Sequence, residues 1–253
     1  MKVSDALHQR ISCRSFLSKK ISKRIIKKII EQASKSPSGG NLQPWKAFIL
    51  SGEPLKKLIT DVEKELIKYP KGHVTEYKIY PEDLPDLYMK RRYKCGEDLY
   101  SLLQIKREDK ENRIKQFKKN FNLFGAPVGI FVFINRSMGY PQWSDLGMFV
   151  QSVLLLAKEN NLDTCAQESW AVFHKLVHKQ VKAPKEYMLF CGIAIGHMDK
   201  TNVINKIRTE RANIDDLAEF LVLKINLLGF YKIRMKFLMK YSRMNHSTWI
   251  SLD

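Results

Sequence analysis

Acidic residues are scarce in this 253-residue chain: 26 Asp and Glu stand against 44 Lys and Arg, a formal charge of +18. Such a balance raises nucleic acid or anionic lipid as partners. The lysines spread over nearly every segment instead of forming one block, however, which is the pattern of a solvated basic surface, so no nucleic acid is expected. Cysteine is sparse as well. Cys13, Cys95, Cys165 and Cys191 lie far apart with no CxxC pair, which excludes a zinc knuckle or an iron-sulfur run and fits reduced thiols in a cytoplasm. No GxGxxG follows a strand-like run, so a separate dinucleotide-binding module is not indicated. No stretch reaches the roughly 18 apolar residues of a membrane span, and Met1-Lys-Val-Ser-Asp lacks the apolar segment of a signal peptide. A soluble, cytoplasmic protein is expected. At 44% hydrophobic residues the chain can still bury a sizeable core, as one domain or as a domain with appendages.

The pattern along the chain is mixed α and β, without internal repeats. Ser22 can cap a helix from Lys23 to Lys35, whose Ile25, Ile26, Ile29, Ile30 and Ala33 form one apolar stripe. Trp45 to Leu50 reads as a strand, and Pro54 sits in the first turn of a second helix reaching about Lys68. From Tyr69 to Asn122 the pattern loosens into prolines and charges, with short helical pieces at Leu84 to Tyr93 and Asp98 to Leu103; a surface excursion or lid is expected. Gly125-Ala-Pro opens Val128 to Ile134, a continuous apolar run suited to a strand covered on both faces. Trp143 to Lys158 reads as a helix that is apolar around most of its circumference, with Asp145 as cap and Gly147 as a close-packing residue. Tyr187 to Ile195 reads as a last strand, ending at Gly196. His174 and His178 share a helical face, but no third ligand completes a metal site and none is expected.

The most informative segment is Ser36-Pro-Ser-Gly-Gly-Asn-Leu-Gln-Pro-Trp45, which follows Arg10-Ile-Ser-Cys-Arg14 by some twenty residues. Gly39 and Gly40 can take positive φ and expose backbone N–H groups to a ligand. Asn41 and Gln43 add amide donors and acceptors suited to the edge of a heteroaromatic ring, and Pro44 closes the loop. Taken singly, Arg10 and Arg14 read as surface charges and Pro37 to Gly40 as a plain loop. Further pieces follow in order: Phe124-Gly-Ala-Pro127, Trp143-Ser-Asp-Leu-Gly147 with Gln151, Gln167-Glu-Ser169, the Gly192 to Gly196 strand end, and Arg208-Thr-Glu-Arg211.

In that order, from Arg10 to about Phe220, the chain resembles the FMN-dependent nitroreductase family. The resemblance implies an α+β sandwich, a mainly antiparallel central sheet flanked by helices, built as an intertwined homodimer with FMN at the interface. It implies a phosphate held by Arg10 and Ser12, with Ile11 between them, and by Arg211 from the far end, Arg208 being a second candidate. Arg14 falls where the family places a cation beside the N1 and C2 carbonyl side of the ring, the proposed catalytic role. Pro37, Ser38 and Gly39 would lie by the ring, Asn41 and Gln43 would supply polar contacts, and the turn Gln167, Glu168, Ser169 would offer backbone N–H to N5. The family often has Gly beside that Glu, whereas this chain has Ser169 and Trp170. An aromatic commonly roofs the flavin in the family, and Trp143, Trp170, Tyr88 and Phe124 are the candidates.

The implied activity is hydride transfer from NADH or NADPH through FMN to a small-molecule oxidant such as a nitroaromatic or quinone, by turns in one pocket. Dehalogenation, ene reduction or flavin fragmentation on the same scaffold is the alternative within enzymes, and a basic module for nucleic acid or membrane is the alternative outside them. Residues 1–220 form the expected flavin domain, with 69–122 as its variable part and 221–253 as a basic extension. In that tail Lys224, Lys232, Arg234, Lys236, Lys240 and Arg243 face Asp253 alone. It reads either as a helix on an anionic membrane surface or as an arm wrapped around the partner subunit, which the resemblance favours.

Overall fold

The computed structural model describes residues 1–221. The tail readings fall on residues outside that range, Leu221 apart. Residues Met1–Arg208 form one compact unit and Thr209–Asp253 a second. Within the second, the described residues hold a single 3-10 turn, Ile214–Asp216.

The first unit carries a five-stranded antiparallel sheet in the order β1-β5-β3-β2, with β4 also paired to β5. The strands are β1 (Phe16–Leu17), β2 (Trp45–Ser51), β3 (Val128–Asn135), β4 (Asp163–Gln167) and β5 (Tyr187–Met198). The helices are α1 (Val3–Gln9), α2 (Lys23–Ala33), α3 (Gly52–Lys68), α4 (Asp86–Leu102), α5 (Lys110–Lys118), α6 (Tyr140–Glu159) and α7 (His174–Val181).

β3 explains the layering. Its residues from Val128 to Ile134 are all buried, as an unbroken apolar run demands. Phe131 and Phe133 face the core formed with Leu55, Leu58 and Val62 of α3 and Val177 of α7. Ile130, Val132 and Ile134 face the opposite core, formed with Ile26 and Ile29 of α2 and Leu146, Phe149 and Val153 of α6. The period of two thus sorts one strand's side chains into two cores. In β5 the alternation breaks. Phe190 and Cys191 both face the α2/α6 core, while Leu189 and Ala194 face the other. The partner register slips between Val132 and Phe133, the sign of a β-bulge. Tyr77 reaches from the excursion to donate its hydroxyl to the Phe190 carbonyl at 2.5 Å.

Several boundaries differ from the expectation. Ser22 caps α2 as expected, its Oγ accepting from Arg24 N–H at 3.2 Å, but the helix ends at Ala33 instead of Lys35. α6 starts earlier than Trp143, with Gly139 as its N-cap and Pro141 in its first turn, so Asp145 is not the cap. Gly147 has open space where a Cβ would stand, so no close contact with the described residues of this chain requires glycine there. Around α6 the buried residues lie mainly on one face, and Met148 remains exposed. The two short pieces expected between Leu84 and Leu103 are one helix, α4, because nothing in Lys94-Cys-Gly-Glu stops the chain and Lys94 bridges forward to Asp98 at 2.8 Å. α5 and β4, neither of which has a clear periodic signal, were not foreseen.

Candidate active site

The chain leaves α1 at Arg10 and runs beside β4. Ser12 pairs with Thr164 in an isolated parallel bridge, and Cys13 N–H donates to the Thr164 carbonyl at 2.9 Å. Arg14 is then fixed twice. Its backbone N–H donates to Asn205 Oδ1 at 2.8 Å, and its guanidinium donates to the Ser12 carbonyl at 3.2 Å. Asn205 is 4% exposed and ties the strip together, since its Nδ2 donates to the carbonyls of Ser15 and Asp199, both at 2.8 Å. Arg208 donates to the Asn205 and Ile207 carbonyls at 3.0 and 2.8 Å. Arg10 and Arg14 both lower the thiol pKa of Cys165 in β4, although burial outweighs them and pushes it up to about 11. Arg10, Ile11, Ser12, Arg14 and Arg208 thus gather around β4 and the 202–208 turn. Arg211 lies in the second unit, where its guanidinium donates to Thr209 Oγ1 at 2.7 Å and to the carbonyls of Thr209 and Glu210.

At the end of β4, Gln167 is 4% exposed and its Nε2 donates to the Asn120 carbonyl at 2.8 Å. Glu168 stays open to solvent, yet the protein atoms around it raise its carboxyl above the ordinary range. Ser169 opens into Trp170, which is fully buried against Phe121 and Phe131. Gly192 makes room for that indole, because a Cβ there would stand 2.6 Å from Trp170 Cδ1. Trp170 is therefore a core residue. Trp143 packs on Tyr77 and Phe190, and Tyr88 is 53% exposed.

The excursion closes over Arg14. A cavity of about 460 Å³ is lined by Arg14, Tyr80, Arg92, Gln116, Asn120 and Phe124 among others. A smaller one of about 240 Å³ adjoins it, again with Arg14 and Phe124, and with Asn122. Of the four aromatic candidates, only Phe124 lines these cavities. Gln116 and Asn120 were missed in the sequence. Their signal is faint: two amides among the lysines of Lys115-Gln-Phe-Lys-Lys-Asn120, one of which, Gln116, is 7% exposed.

The Pro37–Gln43 loop is a separate group. Gly40, Asn41 and Gln43 take positive φ, whereas Gly39 does not. Gly39 N–H donates to Asp145 Oδ2 at 3.1 Å, Gln43 N–H donates to Ser38 Oγ at 3.0 Å, and Ser36 Oγ meets Ser152 Oγ at 2.7 Å. The loop is thus fastened to α6, with Pro37, Gly39, Asn41 and Gln43 exposed. Among the described residues no hydrogen bond or ion pair joins it to Arg10, Ser12, Arg14 or the Gln167–Ser169 turn.

The polar atoms left over are informative. Arg10 Nε, Asn122 Oδ1, Gln167 Oε1 and Ser169 Oγ are buried without a protein partner. Buried polar groups left unpaired are costly; these four cluster by the arginines and the end of β4, while His73 Nδ1, Glu76 Oε2, Trp170 Nε1 and His178 Nε2 lack a hydrogen-bond partner elsewhere. Arg10 and Arg14, with no carboxylate partner among the described residues and with amides nearby, form a donor set suited to a phosphate and to the polar edge of a planar ring.

The sequence profile of the nitroreductase family matches residues 7–197. The chain belongs to the nitroreductase family. Its membership extends to specific relatives. It is 33% identical over 215 residues to a 4-nitrobenzoate reductase of Pseudomonas putida, covering 84% of this chain and 92% of that one. It is 27% identical over 218 residues to a nitrobenzene nitroreductase of Ectopseudomonas oleovorans, covering 86% and 96%. Among solved structures, the FMN and NADPH-dependent nitroreductase NfnB from sphigopyxis sp. strain HMH superposes with a TM-score of 0.84 at 39% identity, covering 87% of this chain and 99% of that one. The nitroreductase fold therefore spans nearly all of the described residues.

Proposed function

We propose that the protein is an FMN-dependent oxidoreductase that uses NADPH, or NADH, to reduce nitroaromatics and similar small acceptors such as quinones. The observation that carries this reading is the pair Arg10 and Arg14, held beside β4 with no carboxylate partner among the described residues, with Arg14 opening into a cavity that Gln116 and Asn120 help to line. Bound beside β4, FMN would supply the two-electron relay between the nicotinamide donor and an acceptor in the cavity. Arg10 Nε and the Ser12 hydroxyl hold its phosphate, with Arg208 and Arg211 as further cations. Arg14 places a positive charge beside the ring and favours its electron-rich state. Gln167, Glu168 and Ser169 line the ring's working edge, and the 69–122 excursion shields the acceptor from water.

The protein works as a homodimer in this reading. Pro37, Ser38, Gly39, Asn41 and Gln43 form a group of their own on α6, apart from the arginines, and the partner's copy of that group completes each site. Relatives named for FMN and NADPH support the cofactor and donor, and relatives named for nitrobenzoate and nitrobenzene support the acceptor class.

The experiment is direct. Purified protein should be yellow, with flavin absorbance and acceptor-dependent oxidation of NADPH. Arg10→Ala and Arg211→Ala should each weaken FMN binding roughly 10- to 150-fold, the range of a charged hydrogen bond worth about 1.5 to 3 kcal/mol. A colourless protein that takes up no added FMN would sink the reading, and wild-type FMN affinity in Arg211→Ala would remove that residue from the phosphate site.

A further inference from the structure

Four cations of the excursion are matched with acids. Lys78 meets Glu82 at 3.0 Å, Lys94 meets Asp98 at 2.8 Å, Lys115 meets Glu111 at 2.7 Å, and Arg113 grips Glu97 at 2.8 and 3.0 Å. Arg92 differs. Among the described residues it has no ion pair and no hydrogen bond; its guanidinium lies over the Tyr80 ring, 3.9 Å from the centroid. A guanidinium held on an aromatic face keeps its in-plane N–H donors available, and the ring fixes its orientation so that less freedom is lost when a ligand binds.

Arg92 and Tyr80 line the 460 Å³ cavity that Arg14 also lines. Among the described residues no Asp or Glu lines it, and Tyr100, Phe117 and Phe124 contribute aromatic surface. The volume is that of a small-molecule site. Two guanidinium groups with no acid among the described lining residues, in an open cleft whose Tyr80 and Arg92 are exposed, make a place for a flat ligand carrying an anion. Arg14 is assigned to the cofactor side, so the anion on the acceptor falls to Arg92.

We propose that Arg92, oriented by Tyr80, is the specificity-determining residue that selects aromatic acceptors bearing a carboxylate. The inference rests on the reading of this cavity as the acceptor site of a nitroreductase. The guanidinium fork can take a carboxylate by two parallel N–H···O bonds while the acceptor's ring lies among the aromatic side chains. A phosphate on the nicotinamide donor is the other anion that could use the same fork, and the test separates the two.

The FMN-loaded full-length protein is assayed with 4-nitrobenzoate and with its uncharged analogue 4-nitrobenzamide, in wild type, Arg92→Gln and Arg92→Lys. Arg92→Gln should raise KM for 4-nitrobenzoate roughly 10- to 100-fold with little change in kcat, leave 4-nitrobenzamide unaffected, and be partly rescued by Arg92→Lys. Binding of benzoate followed by calorimetry should weaken in parallel, a readout that needs no turnover. An equal loss with both acceptors, or a KM effect confined to NADPH relative to NADH, would overturn the proposal. If wild type binds benzoate through Arg92 but reduces neither nitro compound, the selectivity stands and the nitroreductase reading fails.

Discussion

Asp145 accepts the backbone N–H of Gly39 at 3.1 Å, joining α6 to a loop more than a hundred residues earlier. The carboxylate is 6% exposed, and Gly39 N–H is its hydrogen-bond partner. The exposed Gly39–Gln43 turn contains three residues at positive φ, a conformation that disfavours Asn41 and Gln43 and persists because the loop is pinned. Asp145→Ala should therefore lower stability by about 1 to 3 kcal/mol and weaken FMN binding, while Asp145→Asn keeps an acceptor and loses less. Urea unfolding and flavin titration of the two variants check this. Equal losses in both would show that the charge itself, and not the bond to Gly39, is what matters.

Tyr77 supports the bulge of β5. Its hydroxyl satisfies the Phe190 carbonyl where the ladder with β3 shifts register, and burial raises its phenol well above the ordinary range. Tyr77→Phe removes one hydrogen bond and leaves the ring between Trp143 and Phe190 in place. A loss of about 0.5 to 1.5 kcal/mol is expected. Faster amide exchange should concentrate at residues 188–191, and exchange unchanged there would assign the bulge's stability to packing alone.

The sheet was legible where side-chain pattern and strand coincide. Val128 to Ile134 and Trp45 to Leu50 were readable because an apolar run bounded by turn residues has few other uses. β4 was not, because Asp163-Thr-Cys-Ala-Gln looks polar; its burial comes from Lys158, which pairs with Asp163 at 2.7 Å, and from pairing with β5. The residues proposed for the cofactor side stand out in the sequence only as a joint pattern matched to a family. Arg92, Gln116 and Asn120 do not, since their meaning comes from a cavity that α4 and α5 create and no short spacing encodes.

Acid should loosen the fold through His178. Burial holds its imidazole below the ordinary value of 6.5, and its ring stands edge-on to Phe133 at 5.0 Å. The unfolded chain therefore binds a proton more readily than the native one as pH falls below about 6.5. The sign follows: stability is present above that pH and is lost as pH drops toward the depressed native value. His174, lowered mainly by burial and pulled the other way by Glu76 at 3.2 Å, adds to the same limb. In His178→Gln the slope of unfolding free energy between about pH 5 and pH 7 should shrink. An unchanged slope would exclude His178 as a source of the acid limb.

The last expectation concerns the order of events at Arg14. The sequence holds no GxGxxG segment for a second nucleotide site, and Arg14 lines two adjoining clefts that share Phe124. Donor and acceptor must therefore occupy the same place in turn, which gives parallel double-reciprocal lines and mutual inhibition at high concentration. Arg14, proposed above to stand on the cofactor side, has its guanidinium held to the Ser12 carbonyl and its backbone held by Asn205. Removing the charge should lower the flavin's reduction potential and slow its reduction by NADPH, while Arg10 and Ser12 keep most of the phosphate affinity. Anaerobic stopped-flow absorbance and a redox titration of Arg14→Ala measure both effects, and Asn205→Ala offers a milder version by freeing the Arg14 backbone. Intersecting lines would require separate sites for the two substrates. A wild-type potential in Arg14→Ala would move the electrostatic role to another cation, Arg208 being next in line by its bond to the Asn205 carbonyl at 3.0 Å.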